Sequence, residues 1–322
     1  MSTSIQDSVT RRPTLRTTQP QSEHSYALIT AAYNEERFIE DTIQSVIAQD
    51  LLPAVWVIVS DGSTDRTDEI VRRYATRYSF IHPIRRERDQ NREFASKVFA
   101  LSVAVSSLPQ VKVEFVGVLD ADVSLDPNYF SELLKRFADD PGLGLAGGWY
   151  FEEVGGKYRP CWGSSSRSIP GGIQMFRQDC YRAIGGLLPI EYGGEDWYAE
   201  IMARKCGWSV RSFPDLHVRH LRITGTRGSR LRYCYREGIM DFALGSHPLF
   251  EVVKIGKRIT SQPYVLGALA RLLGFLVAHA SVERMIPPDV VSFLRKEELA
   301  RLWSFPSGLV RGKRRRPELE LL

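Results

Sequence analysis

The stretch "VEFVGVLDADVSL" at residues 113–125 joins a short apolar run to two aspartates, Asp120 and Asp122, which only Ala121 separates. The apolar run has the length and composition of a buried β-strand. Two carboxylates at the end of such a strand repel each other and lose hydration, which is costly unless a positive group compensates. This stretch therefore predicts a strand that ends in a charged site.

Three other apolar runs precede this stretch, and helical periodicity follows each of the four. The runs are "YALITAA" (26–32), "VWVIVS" (55–60) and "FIHPI" (80–84), and the helical segments are 38–49, 67–78, 94–105 and 127–138. Alternating strands and helices are typical of a largely parallel sheet that is covered on both faces. The predicted fold class is therefore α/β, with ligands binding beyond the carboxyl ends of the strands.

Polar clusters follow three of the predicted strands. They are "YNEE" (33–36), "DGSTD" (61–65) and "DAD" (120–122). Taken singly, the first two also fit a helix cap and a turn, because Asn, Asp, Ser and Thr are favoured at both. Since the carboxyl ends of parallel strands meet at one edge of a sheet, the three clusters together predict a single site.

The pattern changes in the second half of the sequence. Glycine-rich and aromatic segments such as "CWGSSSRSIPGGIQMF" (161–176) predict antiparallel strands and loops that close over the site. In "GGEDW" (193–197), two glycines precede Glu195 and Asp196 at the predicted start of a helix. Negative charge is favourable at a helix N-terminus, so these acids fit either an N-cap or a functional pair.

Composition bounds the class of protein. The chain has 322 residues, of which 43% are hydrophobic and 25% charged, as is typical of a soluble globular protein with two domains or one large domain and an appendage. The 4 cysteines form no CxxC pair, which disfavours a zinc ribbon and indicates reduced thiols. Residues 1–24 lack the apolar core of a secretory signal, so we expect a disordered arm and a cytoplasmic protein.

Basic residues and an apolar stretch distinguish the C-terminal part. The run "RGKRRR" (311–316) contributes to the net charge of +5 and fits a solvated tail or an anionic membrane surface better than nucleic acid. The apolar stretch 264–282 is interrupted by Arg271 and a histidine, which favours a core or interfacial helix over a membrane span. We expect a helical region at 226–310, either packed on the rest of the chain or associated peripherally with a membrane, and a basic tail at 311–322.

Four motifs, in this order and at these distances, resemble the inverting glycosyltransferases of family 2. They are "AAYNEE" (31–36), "SDGSTD" (60–65), "LDADVSLDP" (119–127) and "GGEDW" (193–197). The resemblance implies a GT-A fold over residues 25–225, with a Rossmann-like, mostly parallel sheet and helices on both faces. It also implies a UDP-, GDP- or dTDP-linked sugar donor, Mg²⁺ or Mn²⁺ as cofactor, and a glycan or lipid-linked acceptor, with no role for nucleic acid.

The resemblance assigns roles on the donor side. Asp122 is implied as the main metal ligand, and Asp120 as a contact to the ribose or the ion. Hard divalent cations bind carboxylates and bridge them to a diphosphate, which explains paired charge at a strand end. The other implied nucleotide contacts are the backbone at Ala31, the side chains of Tyr33, Glu35 and Asp61, and Ala121. The sequence departs mildly from the family at Ala31 and Ser60, where Pro and Asp are frequent.

The acceptor side follows from the fourth motif. Inverting transfer needs a base for the acceptor hydroxyl, and the resemblance implies Asp196 as this general base. Glu195 and Trp197 are expected to orient the acceptor or to support the base.

The run "HVRHLR" (217–222) offers a further metal ligand. His217 and His220 are three residues apart and so cannot face the same side of a strand. The resemblance implies a metal ligand at this place, and we expect it to be His220, with Arg222 or Arg219 helping to neutralise the diphosphate.

Two other functions share parts of this pattern. A nucleotidyltransferase that makes a nucleotide sugar would need a glycine-rich loop with Arg and Lys after the first strand, where this chain has "AAYNEE". A non-catalytic nucleotide- or glycan-binding module would gain little from Asp196. The complete set of carboxylates favours an inverting glycosyltransferase. The region after residue 225, with "YREGIMDFALGSHPLFEVVK" (235–254), resembles a subset of the family, which implies polysaccharide or glycoconjugate synthesis.

Overall fold

The computed structural model describes residues 25–87, 95–108, 112–161, 165–222 and 229–304. The expected arm at 1–24 and the basic run at 311–316 lie outside the described residues.

Nine strands form one sheet in the described part of the chain, in the order β3-β2-β1-β4-β8-β6-β9-β5, with β7 paired to β6. Their bounds are β1 Tyr26–Ala32, β2 Val55–Asp61, β3 Ile81–Arg86, β4 Phe115–Val118, β5 Val123–Leu125, β6 Leu143–Val154, β7 Lys157–Pro160, β8 Met175–Arg177 and β9 Ser209–His220. The first four strands pair in parallel, as the alternation predicts. Antiparallel pairs then join β4 to β8, β8 to β6 and β5 to β9, while β6 and β9 are parallel.

The helices alternate with the first strands and then dominate the C-terminal part. Their bounds are α1 Ile39–Ile47, α2 Thr67–Ala75, α3 Ala95–Ser106, α4 Tyr129–Asp139, α5 Gln178–Ala183, α6 Glu195–Lys205, α7 Arg230–Ala243, α8 Pro248–Arg258, α9 Tyr264–Ser281 and α10 Pro288–Ser304. The predicted α/β class, with a largely parallel first half and a C-terminal helical region, is confirmed.

The core lies on both sides of the parallel strands. All seven residues of β2 are buried. Because successive side chains of a strand point to opposite faces, both faces of the sheet are covered at β2. Helix α3 packs on β1 and β2, and α1 contributes Ile39, Ile43 and Val46 to the same core, all fully buried. Burying an aliphatic side chain of this size stabilises the fold by about 1.5–3 kcal/mol each.

Small residues bring α7 and α9 into close contact. A Cβ atom at Gly238 would overlap the carbonyl oxygen of Arg271, and one at Gly274 would overlap that of Tyr235. The apolar stretch predicted around 264–282 forms α9, which is long and apolar enough to cross a membrane by length and composition alone. One side of α9 is packed along α7, and Arg271 is buried there. A second, smaller core joins α6 to α10 through residues that include Tyr198, Ile201 and Leu294.

Candidate active site

The loops after β1 and β2 are tied together by hydrogen bonds. Asn34 has a positive φ of 53°, a conformation that asparagine tolerates better than most residues. Its backbone N–H donates to Ser63 Oγ at 3.1 Å, and its side-chain oxygen accepts from the N–H of Thr64 at 2.8 Å. The N–H of Glu35 donates to Thr67 Oγ1 at 2.8 Å. The first two polar clusters therefore lie side by side, as the parallel strands predict.

Asp61 closes β2 in a buried, polar environment and is only 2% exposed. Its carboxylate accepts a hydrogen bond from Ser96 Oγ and lies 3.1 Å from Arg86 Nε. Ala31, in the neighbouring strand, and Tyr33, just beyond it, are half-buried at the same edge of the sheet. These positions form the part of the site that was expected to bind the base.

Asp120 lies against a lysine that motif reasoning missed. Lys97 Nζ is 2.7 Å from Asp120 Oδ1. Burial opposes the charge of Lys97, but Asp120, Glu195 and Asp196 outweigh it and raise the lysine pKa above its ordinary value. The third and fourth motifs therefore meet at Lys97. Ala121, beside Asp120, is buried.

Asp122 faces His220 and Arg222. Its Oδ2 atom is 3.7 Å from His220 Nε2 and 3.0 Å from Arg222 Nε, and Arg222 also pairs with Glu35. Burial raises the pKa of Asp122, but His220, Arg222 and Lys97 outweigh this effect and hold it below its ordinary value. The carboxylate of Asp122 is therefore ionised at neutral pH, and an imidazole nitrogen faces it at 3.7 Å.

Glu152 and Tyr150 orient His220. The Nδ1 atom of His220 is 3.0 Å from Glu152 Oε1, and because a carboxylate only accepts, Nδ1 is the donor. The imidazole stacks on the ring of Tyr150 at 4.8 Å and an interplanar angle of 6°. These contacts leave Nε2 turned toward Asp122. His217 is exposed and lies against Phe151 instead, so the period-two argument places the two histidines correctly.

Glu195 and Asp196 begin α6, directly after Gly194, whose φ is 90°. Asp196 Oδ1 accepts from the N–H of Trp197 at 2.8 Å. Burial raises the pKa of Asp196, and burial together with the charge of Asp196 raises the pKa of Glu195. A carboxylate with a raised pKa is a stronger base, which suits Asp196 for proton abstraction.

A glycine pair separates the two groups of acids. The N–H of Asp120 donates to the carbonyl of Gly172 at 2.9 Å, and a Cβ atom at Gly172 would overlap the Asp120 carboxylate. A Cβ atom at Gly171 would lie 2.8 Å from Asp196 Oδ2. Only glycine lets this backbone pass so close to both carboxylates.

Trp197 connects the site to the C-terminal helices. Lys254 Nζ of α8 lies 4.6 Å from the centre of the indole ring, a cation–π distance. Trp197 also packs against the second core. Trp197, which we expect near the acceptor, is therefore in contact with α8 through Lys254.

Several described residues of the site lie outside the motifs that resemble the family, among them Ser96, Lys97, Glu152 and Gly172. One signal in the sequence points to the first two, because "SK" is the polar start of an otherwise apolar helix, "ASKVFALSVAVS". Glu152 stands next to Glu153 near the end of the otherwise apolar and glycine-rich strand β6 and carries no comparable signal.

The family model described as "Glycosyl transferase family 2" matches residues 27–193. The chain belongs to this family. A poly-beta-1,6-N-acetyl-D-glucosamine synthase of Staphylococcus aureus (strain COL) is 31% identical over 118 residues, which are 37% of this chain and 26% of that protein. The synthase of Staphylococcus epidermidis (strain ATCC 35984) is 28% identical over 144 residues, 44% of this chain and 33% of its own length. The chain thus spans a third or less of these curated relatives.

Solved structures agree on the fold. GalNAc-T7 with UDP, GalNAc and Mn²⁺ matches with a TM-score of 0.53 and 14% identity over 81% of this chain and 55% of that chain. The mannosyltransferase PcManGT of Pyrobaculum calidifontis, in complex with GDP-Man and Mn²⁺, matches with a TM-score of 0.51 and 19% identity over 94% and 85%. At this identity the similarity shows the shared fold alone.

Proposed function

We propose that this chain transfers a sugar from a nucleotide diphosphate donor to an acceptor hydroxyl, with inversion at the anomeric carbon. The observation that carries the proposal is the position of Lys97, which contacts Asp120 at 2.7 Å and interacts electrostatically with Glu195 and Asp196. It brings the donor-side and acceptor-side carboxylates into one site. A binding module would need only the donor side.

The donor side fits a divalent cation. Asp122 Oδ2 and His220 Nε2 are 3.7 Å apart, too far for a hydrogen bond but suitable for two ligands of one ion. Carboxylate oxygens suit Mg²⁺ and Mn²⁺, and imidazole favours transition metals. Asp122 and His220 would hold the ion, which supplies Lewis-acid stabilisation of the departing diphosphate. The two structurally similar proteins were solved with Mn²⁺, which supports this choice of cofactor.

On the donor side, Tyr33, Glu35 and Asp61 line the part of the edge that would take the base and ribose. Arg222, next to Asp122, supplies a guanidinium for the diphosphate oxygens. Asp196 takes the proton of the acceptor hydroxyl while the oxygen of that hydroxyl bonds to the anomeric carbon. The bond from that carbon to the diphosphate oxygen breaks on the opposite face, and its electron pair leaves with the nucleotide. The configuration therefore inverts.

The acceptor we propose is a growing glycan or a lipid-linked sugar, with the enzyme working on the cytoplasmic face of a membrane. The matched relatives are named as synthases of a polysaccharide, which supports this class of product. A thermal-shift screen of nucleotide diphosphates with Mn²⁺ identifies the donor base. We expect the nucleotide with the correct base to raise the melting temperature more than the others, because a ligand that binds the folded state stabilises it.

The deciding test is Asp122→Asn. We expect transfer to be nearly abolished and nucleotide binding to lose its Mn²⁺ dependence, because the amide cannot supply a charged ligand. Nucleotide affinity is measured by calorimetry with and without Mn²⁺. Asp126→Asn is the matched control, since Asp126 lies in the same motif but pairs with Arg219 at the surface. An unchanged Mn²⁺ dependence in Asp122→Asn would refute the proposed ligand.

A further inference from the structure

The helix α9 has two faces of opposite character. Its buried face consists of small residues and one arginine: Gly267, Ala268, Arg271, Gly274 and Ala278. Its opposite face is apolar and exposed, at 39–61% per residue: Val265, Leu266, Leu269, Leu273, Leu276 and Val277. At 100° per residue these six positions occupy one continuous arc, which we call the α9 ridge. The ridge runs along a helix about 27 Å long.

The exposure of the ridge is built into the packing. On the buried side Arg271 pairs with Asp241, lies 2.6 Å from Glu251 through Nε and 3.3 Å from Glu237 through Nη1. Rotating α9 to bury its leucines would break these ion pairs, and breaking a buried pair is strongly destabilising because it leaves charges without partners. The glycine contacts with α7 would be lost as well. The orientation of α9 is therefore fixed with its apolar face outward.

The neighbouring helix also exposes apolar side chains. Leu249 and Val252 on α8, and Ile259 directly after its end, are 46–64% exposed. They are spaced by three and seven residues, so they lie along one side of this segment. Exposed apolar surface such as the α9 ridge marks an interaction site.

Positive side chains lie near both ends of α9. Arg230 Nη1 donates to Gln262 Oε1 at 3.0 Å, just before α9 begins. Arg284 follows the end of α9 and is exposed, with its guanidinium 5.5 Å from the ring of Phe242. Tyr264, the first residue of α9, is exposed too. An apolar helix face with aromatic and basic residues at its ends is typical of helices that lie in the plane of a membrane interface.

We infer that the α9 ridge binds the surface of an anionic lipid bilayer, with α9 parallel to it. A single convex helix needs a complementary groove in a rigid partner, whereas fluid acyl chains adapt to it. The basic residues near the ends of the helix match anionic headgroups. This inference deepens the proposed membrane location and rests on it, but it does not depend on the chemistry of transfer.

The experiment is flotation of the full chain with vesicles of phosphatidylcholine, alone or mixed with phosphatidylglycerol. We expect the protein to float with the anionic vesicles. In the double variant Leu269→Glu, Leu273→Glu, the fraction of protein that floats should fall by roughly tenfold or more, because two charges replace apolar surface that would be buried in the bilayer interface. Tyr158→Glu is the matched control: Tyr158 is equally exposed but lies on β7, and this variant should float like the parent.

Three outcomes overturn the inference. The parent protein could stay at the bottom with both vesicle types, or the double variant could float like the parent. In the third outcome, the parent protein does not float, and sedimentation without lipid shows a dimer of the parent but a monomer of the double variant. That result would assign the ridge to contact with a second copy of the chain. Mn²⁺-dependent nucleotide binding, measured on the same samples, separates this test from that of the proposed function. Thermal unfolding verifies that each variant is folded.

Discussion

Two groups of charged side chains in this molecule differ in the ratio of acidic to basic residues. The first, the strand-end cluster, joins six carboxylates to Lys97, Arg222 and His220; the carboxylates are Glu35, Asp120, Asp122, Glu152, Glu195 and Asp196. The second, the helix cluster, joins Glu237, Asp241 and Glu251 to Lys254, Arg258 and Arg271. Within the described residues, acids exceed bases in the first cluster even when His220 is protonated, and they are equal in number in the second.

This difference indicates a different role for each cluster. Buried charges that neutralise each other require no additional ligand, so the helix cluster serves to fix how α7, α8 and α9 pack. An excess of buried negative charge is unfavourable by itself and is relieved by a positive ligand or by protonation. Burial first, and then the neighbouring acids, raise the pKa values of Glu195 and Asp196, which is the direction of this second response. Lys254, which contacts both Asp241 and Trp197, connects the balanced cluster to the unbalanced one.

The largest effect should come from unbalancing the helix cluster. Arg271→Met leaves three buried carboxylates without their main partner, and we expect the free energy of unfolding to fall by about 3–5 kcal/mol. Urea unfolding measures it. Arg232→Met, an exposed arginine on α7, is the control and should change little. A loss below about 1 kcal/mol would mean that the cluster does not hold the helices.

Removing an acid from the strand-end cluster should affect rate rather than stability. For Asp196→Asn we expect kcat to fall about a hundredfold or more, the usual contribution of a general base, while donor affinity stays nearly unchanged. Steady-state kinetics and nucleotide calorimetry provide the two readouts. Asp179→Asn, on exposed α5, is the control. A loss confined to donor binding would move Asp196 into the nucleotide site.

Glu152 tests whether the cluster is organised for a metal. In Glu152→Gln the imidazole loses its charged acceptor at Nδ1, and such changes weaken metal binding by about 10–100-fold. Mn²⁺ affinity, followed by calorimetry or electron paramagnetic resonance, is the measurement and needs no turnover. Glu153→Gln is a matched control because the adjacent residue is exposed. Equal Mn²⁺ affinity in both variants would leave Glu152 a structural residue only.

The subtlest effect concerns pH. A general base acts when ionised, so the rate is lost as the pH falls through the pKa of Asp196, which burial raises above the ordinary aspartate value. Lys97 counteracts this rise, so in Lys97→Met the acid limb of the kcat/KM profile should move to higher pH, whatever the remaining rate. Lys135→Met, an exposed lysine on α4, should leave the limb in place. A shift to lower pH in Lys97→Met would contradict the assignment.

The sequence by itself determined the parallel half of the sheet and the position of its polar clusters. Strand periodicity and turn chemistry are local, so the ends of β1, β2 and β4 were predictable, and so was the start of α6 after Gly194. The opposite placement of His217 and His220 followed from the same period of two. Family motifs then added roles to these positions.

Only the tertiary structure decided the partners of the charges. Glu152 reaches His220 across 68 residues, Arg222 reaches Glu35 across 187, and Arg271 meets Asp241 across 30. The sequence left Arg271 between an interfacial and a core position, and the structure places it in the core with the apolar side of α9 outward. Electrostatic energy depends on distance in space and on burial, neither of which the order of residues contains, so the balance of a charge cluster emerges only when the chain is folded.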